Sequence, residues 1–583
     1  MLRFAHLLLA CILIPTTVMG ASSASAGVQE RPGPEILPMS GPDSAPAVPL
    51  PGDSGGLDAT IAARLAKGGR TVAGRPVGMD SLRRIYAQRG FHPVWIDAGV
   101  VKPTAQKLLA ALERADEEGL SAADYHPDPI AERLAALATA SPDERAELDL
   151  LLTDAAVRFA VHLRAGRALP KTINPDFAVI PPAVDPAKVL AELFKASDVE
   201  AYYTSFVPTR TEYGALKQAL RHHRDLAKAG GWPLVPAPRT AKLEPGMRDP
   251  AVKVLRKRLA VTGEHDGTPG QGDLYDAPLR KAVERFQARH GLIVDGIVGA
   301  STIAALNVPV SQRVEQILSN LERLRWQPDS FGDRYVVVNI PDYSLKAYEN
   351  GVLARDMRVV VGTPVRRTPI LSSTITSVTL NPTWTMPPRL AREDFLPKLI
   401  RDPSYAASNG YTVFASWASN APALDSRRID WRSIGNGISK LRIRQDAGPN
   451  NSLGQLKFNI PNDFAIYLHD TPNREKFGMT KRAFSSGCVR LGDPMGLAEY
   501  VFAGTPEWPT ERRQKQLDTG ETKTVLLKKA VPVHLLYQTA WVDAHGVTQF
   551  REDIYARDAE LLDAIARRGF TSQRAQRVAA AQP

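Results

Sequence analysis

Two stretches hold the residue types best suited to covalent chemistry: Ala465-Ile466-Tyr467-Leu468-His469-Asp470-Thr471-Pro472 and Phe484-Ser485-Ser486-Gly487-Cys488-Val489-Arg490-Leu491. A cysteine attacks as its thiolate, and a free thiol of pKa about 8.5 is only a few per cent ionised near neutrality. An imidazole beside it can remove the proton and later return it to a leaving amine. Gly487 gives the backbone before the sulfur wide conformational freedom, so the amides of Gly487 and Cys488 can point at a developing oxyanion. Arg490 can hold a substrate carboxylate in a fork-like contact while favouring the thiolate.

These side chains need two extended segments laid side by side. Alternation puts Ile466 and Leu468 on one face of the first strand and Tyr467 and His469 on the other; the same rule places Cys488 and Arg490 together on the second. The 19 residues from His469 to Cys488 are enough for a loop that brings the segments together. The second ends at Asp493-Pro494, a good N-cap and first-turn pair for a helix to about Phe502. Taken singly, Cys488 reads as an inert buried thiol, His469 as a core histidine and Arg490 as a structural ion pair. Their combination with an exported chain favours function.

Export is read from the first residues. Arg3 precedes an apolar run from Phe4 to Ile14, and Ala24-Ser25-Ala26 precedes Gly27, the pattern of a cleavable secretory signal over 1–26 and hence of an exported protein. The run is too short for a membrane span and is broken by Pro15. A lipobox reading of Leu8-Leu9-Ala10-Cys11 is disfavoured because Ile12-Leu13-Ile14 continue the apolar run. Cys11 and Cys488 are the only cysteines, so cleavage leaves one thiol, no disulfide framework and no Cys-x-x-Cys metal site.

The chain has 583 residues, enough for about four domains. Its 44% hydrophobic and 23% charged residues exclude wholesale disorder. The net charge of +11 suits an anionic partner, but nucleic acid has no other support and export argues against it. From Arg31 to Gly56, 12 of 26 residues are Pro or Gly, giving a tether over 27–56. A helical scaffold is expected over 57–240, with Leu152, Ala156, Phe159 and Leu163 on one helical face and His222-His223 on a solvated one. A small helical module follows at 241–308, where the loop Gly263 to Gly272, despite Asp266 and Asp273, reads as a plain connection.

After a helix from Ser311 to about Arg325 the period changes to two. Tyr335 to Ile340, Leu345 to Tyr348 and Val352 to Val361 read as strands, with a hairpin turn at Asn350-Gly351; more are expected at Ile375 to Leu380, Gln455 to Asn459, Ala465 to His469 and Thr524 to Leu527. The pattern breaks over 389–440 into polar, helical and loop-like pieces, an insertion placed to cap a cleft. The catalytic unit spans 311–545, and 546–583 forms a C-terminal helix and a polar tail.

The string Ala282-Val283-Glu284-Arg285-Phe286-Gln287, with Gly291-Leu292 and Asp295-Gly296-Ile297-Val298-Gly299, resembles the three-helix peptidoglycan-binding module. The stretch from His469 to Arg490 resembles the L,D-transpeptidase catalytic domain of the YkuD type, in its large YcbB-like periplasmic branch. Supporting strings are Asn339-Ile340-Pro341, Val361-Gly362-Thr363-Pro364 with Arg367-Thr368-Pro369, Asn381-Pro382-Thr383-Trp384, Gly448-Pro449-Asn450 with Leu453-Gly454, Gly90 to Trp95, and Leu163-Arg164-Ala165-Gly166-Arg167. Many relatives carry His where Ser486 stands, so no role of that imidazole transfers here.

The resemblance implies a multidomain α+β protein: a helical scaffold, a peptidoglycan-binding module and a mainly-β catalytic domain with an inserted cap. It implies that Cys488 attacks the bond between the third-position diamino acid and D-Ala of a tetrapeptide stem, with His469 as base and then acid. A neighbouring stem's amine would resolve the thioester into a 3-3 crosslink, and water would give L,D-carboxypeptidase trimming. Tyr467, Trp384 and Arg490 are the candidates for positioning the stem, no cofactor or metal is expected, and carbapenems would acylate Cys488. Expected partners are peptidoglycan stem peptides and glycan, and other cell-wall synthesis enzymes. The absence of Ser-x-x-Lys and of His-Glu-x-x-His removes the penicillin-binding serine and zinc peptidase mechanisms. A papain-like order would place the cysteine before the histidine. A noncatalytic wall-binding scaffold would leave the His and Cys pair unexplained.

Overall fold

The computed structural model describes residues 56–268, 270 and 272–568. The signal segment, Cys11, nearly all of the tether and the polar tail lie outside the described residues. The N-terminal region is helical around α1 (Pro142–Ala165), whose start is closed by reciprocal Ser141 and Glu144 capping bonds. Leu152, Ala156, Phe159 and Leu163 are all buried. Asp149 on the same helix is buried too. Its carboxylate accepts the Tyr86 hydroxyl and the backbone N–H groups of Val94, Trp95 and Ile96, which folds the Gly90 to Trp95 string back onto α1.

In α2 (Thr211–Lys228) the two adjacent histidines part company. His222 is exposed, whereas His223 is buried, donates Nδ1–H to the Ala219 carbonyl at 2.7 Å and packs edge-on against Phe550 at 5.5 Å. The expected solvated face therefore holds only for His222: one residue turns a helix by about 100°, enough to carry a neighbour into the core. The next three helices, α3 (Pro250–Val261), α4 (Ala277–Arg289) and α5 (Ala300–Leu306), enclose a small core of Val252, Leu255, Leu259, Val283, Phe286 and Leu306. Asp273 in the preceding loop is paired with Arg248 at 2.7 Å.

Helix α6 (Val310–Arg325) joins the helical region to the β region. Its Glu322 is fully buried, pairs with Arg325 and accepts the N–H groups of Arg167 and Ala168. Gly166 makes this approach possible: its φ is +85°, and a Cβ there would meet the Glu322 carboxylate at 2.6 Å. The Leu163 to Arg167 string is thus the seam between the helical N-terminal region and the β region.

The β region is a closed eight-stranded barrel. Its strands are β1 (Arg334–Asn339), β2 (Ser344–Glu349), β3 (Val352–Gly362), β4 (Ile370–Leu380), β5 (Leu456–Asn459), β6 (Leu468–His469), β7 (Val489–Leu491) and β8 (Lys523–Leu536), in the spatial order 5-6-7-3-2-1-8-4 and back to 5. Closure removes the exposed edges that an open sheet would carry. Asn350 and Gly351, at φ 50° and 79°, form the two-residue turn between β2 and β3. Every second residue is buried in one core: Val336 and Val338, Val359 and Val361, Leu456 and Phe458, Val489 and Leu491. Helices α7 (Pro494–Phe502) and α8 (Arg557–Arg568) add Leu497, Val501, Leu561 and Ile565 to it.

The segment expected as a strand from Ala465 is shorter. Ala465 has φ 53°, and the Asn462 side chain accepts the N–H groups of Phe464 and Ile466 while donating to the carbonyls of Ile460 and Ile466. A side chain that takes up backbone groups this way competes with strand pairing. The insertion after β4 has a four-stranded sheet of its own, with strands at Trp384–Thr385, Tyr411–Phe414, Ala423–Leu424 and Arg442–Gln445, over a separate core that includes Phe395, Leu399, Trp431 and Ile443. The sheet is more regular than the polar, helical and loop-like pieces expected over 389–440, and its strands at Trp384–Thr385 and Arg442–Gln445 lie outside those bounds.

Candidate active site

Strand β6 pairs in parallel with β7, setting Leu468 beside Val489 and His469 beside Arg490. Leu468, Val489 and Leu491 point into the core, so His469, Cys488 and Arg490 lie on the opposite face. Tyr467 joins them, its ring 5.6 Å from the His469 ring. Strand β5 runs antiparallel on the other side of β6 and sets Lys457 opposite His469. Asp493 caps α7, accepting the Gly496 N–H, and so anchors the end of the cysteine-bearing segment.

His469 is buried and its Nδ1 hydrogen-bonds the Asp470 carbonyl at 2.5 Å. A carbonyl can only accept, so the proton sits on Nδ1 and the Nε2 lone pair is left for a substrate or the thiol. Burial, helped by the Arg490 charge, pushes the imidazole down to about 3. The Cys488 thiol is half-buried, and desolvation pushes it up to about 11, against the lowering influence of Tyr467, Lys457 and Arg490. Both partners are therefore neutral at rest.

No hydrogen bond joins Cys488 Sγ to His469 among the described residues. The thiol faces the Ala465 carbonyl at 3.9 Å, with Tyr467 beside it favouring the thiolate. The hydrogen bond expected from the sequence is thus not made in this arrangement, where the thiol faces the Ala465 carbonyl.

The loop carrying the cysteine is braced from below. Gly487 has φ +116°, and a Cβ there would sit 3.0 Å from Ile466 Cδ1. Its carbonyl accepts the Thr368 hydroxyl at 2.7 Å, and the same hydroxyl accepts the Gly362 N–H at 2.9 Å. The Tyr555 hydroxyl donates to the Gly362 carbonyl and receives the Thr368 N–H. The Gly487 N–H itself donates to Ser485 Oγ at 3.1 Å, and that hydroxyl donates to the Cys488 carbonyl at 2.6 Å. Gly487 is therefore corrected as an oxyanion donor: its amide is already engaged, which leaves the Cys488 amide for that place.

Of the expected positioning residues, Tyr467 lies within electrostatic reach of both the sulfur and Trp384, and Trp384 belongs to the sheet of the insertion. Arg490 is half-buried and its Nε has no hydrogen-bond partner. Ser486 accepts from Arg366 at 3.0 Å, and Arg366 also pairs with Glu393 and Asp394 of the insertion. Lys457, Thr368 and Arg366 were not among the residues expected from the sequence. A lone lysine between Leu456 and Phe458 in an alternating strand was the available signal for the first; the other two are placed by tertiary contacts alone. Among the described residues no cluster of three or more His, Cys, Asp or Glu could hold a metal ion, and no helix is long and apolar enough to cross a membrane.

Comparison with known proteins matches residues 80–220 to a scaffold domain, 248–306 to a "Putative peptidoglycan binding domain" and 333–508 to an L,D-transpeptidase catalytic domain. A Haemophilus influenzae protein named "Putative L,D-transpeptidase" is 38% identical over 257 residues, covering 44% of this chain and 51% of that protein. The N-acetylmuramoyl-L-alanine amidase CwlM of Mycobacterium tuberculosis is 41% identical over 83 residues, covering 12% of this chain and 20% of that one. The chain thus spans about half the length of the first relative and a fifth of the second. A solved L,D-transpeptidase of Stackebrandtia nassauensis shares 14% identity, with a TM-score of 0.20, over 51% of this chain and 96% of that one.

Proposed function

We propose, on the premise that this chain resembles the YcbB-like L,D-transpeptidases with scaffold, peptidoglycan-binding and catalytic domains in one polypeptide, that it crosslinks peptidoglycan by two-step acyl transfer outside the cytosol. The observation that carries this reading is the parallel pairing of β6 with β7. It brings an imidazole with a free Nε2 and the chain's sole thiol after the export segment onto one face of the barrel.

In the first step Cys488 Sγ loses its proton to His469 Nε2 and attacks the carbonyl of the third-position diamino acid of a tetrapeptide stem. The thiol has to leave the Ala465 carbonyl for this. The oxyanion is received by the Cys488 amide, the C–N bond to D-Ala breaks, and the proton passes from His469 to the departing amine. In the second step an amine of another stem attacks the thioester, His469 takes its proton, and the sulfur leaves with the new 3-3 amide formed. Water in place of the amine gives trimming. Arg490, with an unpartnered Nε, is positioned to hold the carboxylate of D-Ala, while Tyr467 and Trp384 border the stem.

Neutral resting partners fit general-base chemistry, in which the thiolate exists only as substrate is attacked. The same nucleophile would be acylated by carbapenems. The test is D-Ala release from purified tetrapeptide muropeptides: Cys488→Ala should abolish it, and undiminished release would sink the assignment. Mass analysis of the wild-type products then separates 3-3 dimers from trimmed tripeptides.

A further inference from the structure

Three adjacent strands set a row of three basic side chains across the face that bears the thiol. Lys457 on β5 is the register partner of His469 on β6, which is the register partner of Arg490 on β7. Register partners project from the same side of a sheet, so the imidazole lies between two cations about 10 Å apart, two strand spacings. Neither cation has a carboxylate within 4.0 Å among the described residues. The acids in the neighbourhood are turned elsewhere: Asp470 receives the Gln455 N–H at 2.9 Å and lies 3.6 Å from Arg474, and Glu475 reaches Arg490 only as a distant charge.

Lys457 is half-buried, its Nζ 4.4 Å from the centre of the Tyr467 ring, with the Cys488 thiol an electrostatic neighbour. Desolvation lowers its pKa, as it does for Arg490, so both cations are held partly out of water with their hydrogen-bonding capacity unspent. A half-buried ammonium with only a π face for company is a site for an anion.

We propose that Lys457 is a specificity-determining residue that binds the side-chain carboxylate of the donor's diamino acid, while Arg490 takes the terminal D-Ala carboxylate on the other side of His469. This deepens the acyl-transfer reading and rests on it. The two carboxylates of such a donor lie on opposite sides of the scissile amide, one on the acyl side and one on the leaving side, as the two cations lie on opposite sides of the base. The enzyme then selects donors whose diamino acid carries a free carboxylate, and amidation of that group removes the charge Lys457 reads.

The experiment follows D-Ala release in single turnover, with the full-length enzyme in excess over soluble tetrapeptide stems, so that no acceptor stem contributes. Two donors are compared, identical except that the diamino acid side-chain carboxyl is free or amidated. Wild type is expected to consume the free-carboxylate donor about tenfold faster at sub-saturating enzyme. Lys457→Met should bring the two donors within about twofold by losing rate on the free one, through a higher half-saturating concentration, and Lys457→Arg should keep the preference. Iodoacetamide labelling of Cys488 and circular dichroism confirm that each variant is folded. A wild type indifferent to amidation, or a Lys457→Met enzyme that keeps the wild-type ratio while losing rate equally on both donors, overturns the proposal and leaves the acyl-transfer reading standing. Absence of D-Ala release from either donor by wild type overturns both.

Discussion

The protonation state of the free thiol gives the sharpest test of the site's electrostatics. With Cys488 pushed up to about 11 and His469 down to about 3, there is no thiolate–imidazolium pair to detect at neutral pH. At pH 7 roughly one thiol in 10⁴ is ionised, against a few in a hundred for an ordinary cysteine, so alkylation should run slower by about two orders of magnitude. The rate of iodoacetamide labelling, followed on the Cys488 peptide by mass spectrometry, should rise tenfold per pH unit from about pH 6 to 10. Tyr467→Phe removes the hydroxyl whose influence lowers the thiol's pKa, expected to act as a donor to the thiolate. A hydrogen bond to a charged group contributes about 1.5–3 kcal/mol, equivalent to about one to two pKa units. The variant should therefore label about 10- to 100-fold more slowly at any pH in that range, with unit slope retained. A plateau with a midpoint between pH 5 and 7 would reveal a preformed ion pair, and faster labelling of Tyr467→Phe would show the hydroxyl stabilising the neutral thiol; either result refutes the reasoning.

Three further outcomes follow from the packing. Thr368→Val strands the Gly362 N–H and the Gly487 carbonyl, each at a cost of about 1–3 kcal/mol, and should slow acylation of Cys488 at least tenfold with a lower denaturation midpoint; Thr368→Ser should recover most of the loss. Gly166→Ala forces a side chain onto φ +85° and into the Glu322 carboxylate, and should destabilise the seam by about 3 kcal/mol, read as an earlier urea transition with the labelling profile of Cys488 unchanged. Burial lowers the pKa values of His223 and His534 to about 4 and His469 to about 3, so the unfolded chain binds more protons than the folded one below about pH 6.5. The stability these groups contribute is present above that pH and is lost as pH falls toward 4. Asp558, raised to about 6, works in the opposite sense, gaining stability as pH falls through 6, as do Asp124, Asp149 and Asp154, also raised by burial, but burial lowers His126, His162 and His290 as well, so six histidines stand against four aspartates. Melting temperatures at pH 7, 5.5 and 4.5 should fall in that order, and a flat profile would contradict the buried, neutral histidines.

What was legible in the sequence, and what was not, divides along the range of the interactions involved. Alternation alone placed Tyr467 with His469 and Cys488 with Arg490, because strand geometry fixes side-chain direction two residues at a time and the core supplied Ile466, Leu468, Val489 and Leu491 as markers. Asn350-Gly351 announced its turn for the same local reason: two positive φ angles in succession demand such residues. The engagement of Gly487 is the exception: it is local, its amide donating to the Ser485 hydroxyl two residues back, a turn that the Ser-x-Gly spacing offers, whereas glycine content alone speaks of freedom rather than of partners. His223 was hidden because its neighbour Phe550 is more than three hundred residues away in the chain. Lys457 is the instructive case. A single lysine in Leu456-Lys457-Phe458 reads as the solvent side of a strand, and becomes chemically pointed only when β5 pairs with its neighbour β6, and β6 with β7, aligning its ammonium with the base and the second cation. The residues that make the nucleophile were therefore readable from local pattern. Those that brace it, Thr368, Tyr555 and the Gly362 backbone, come from segments far apart in sequence, and there the physical argument needed the barrel.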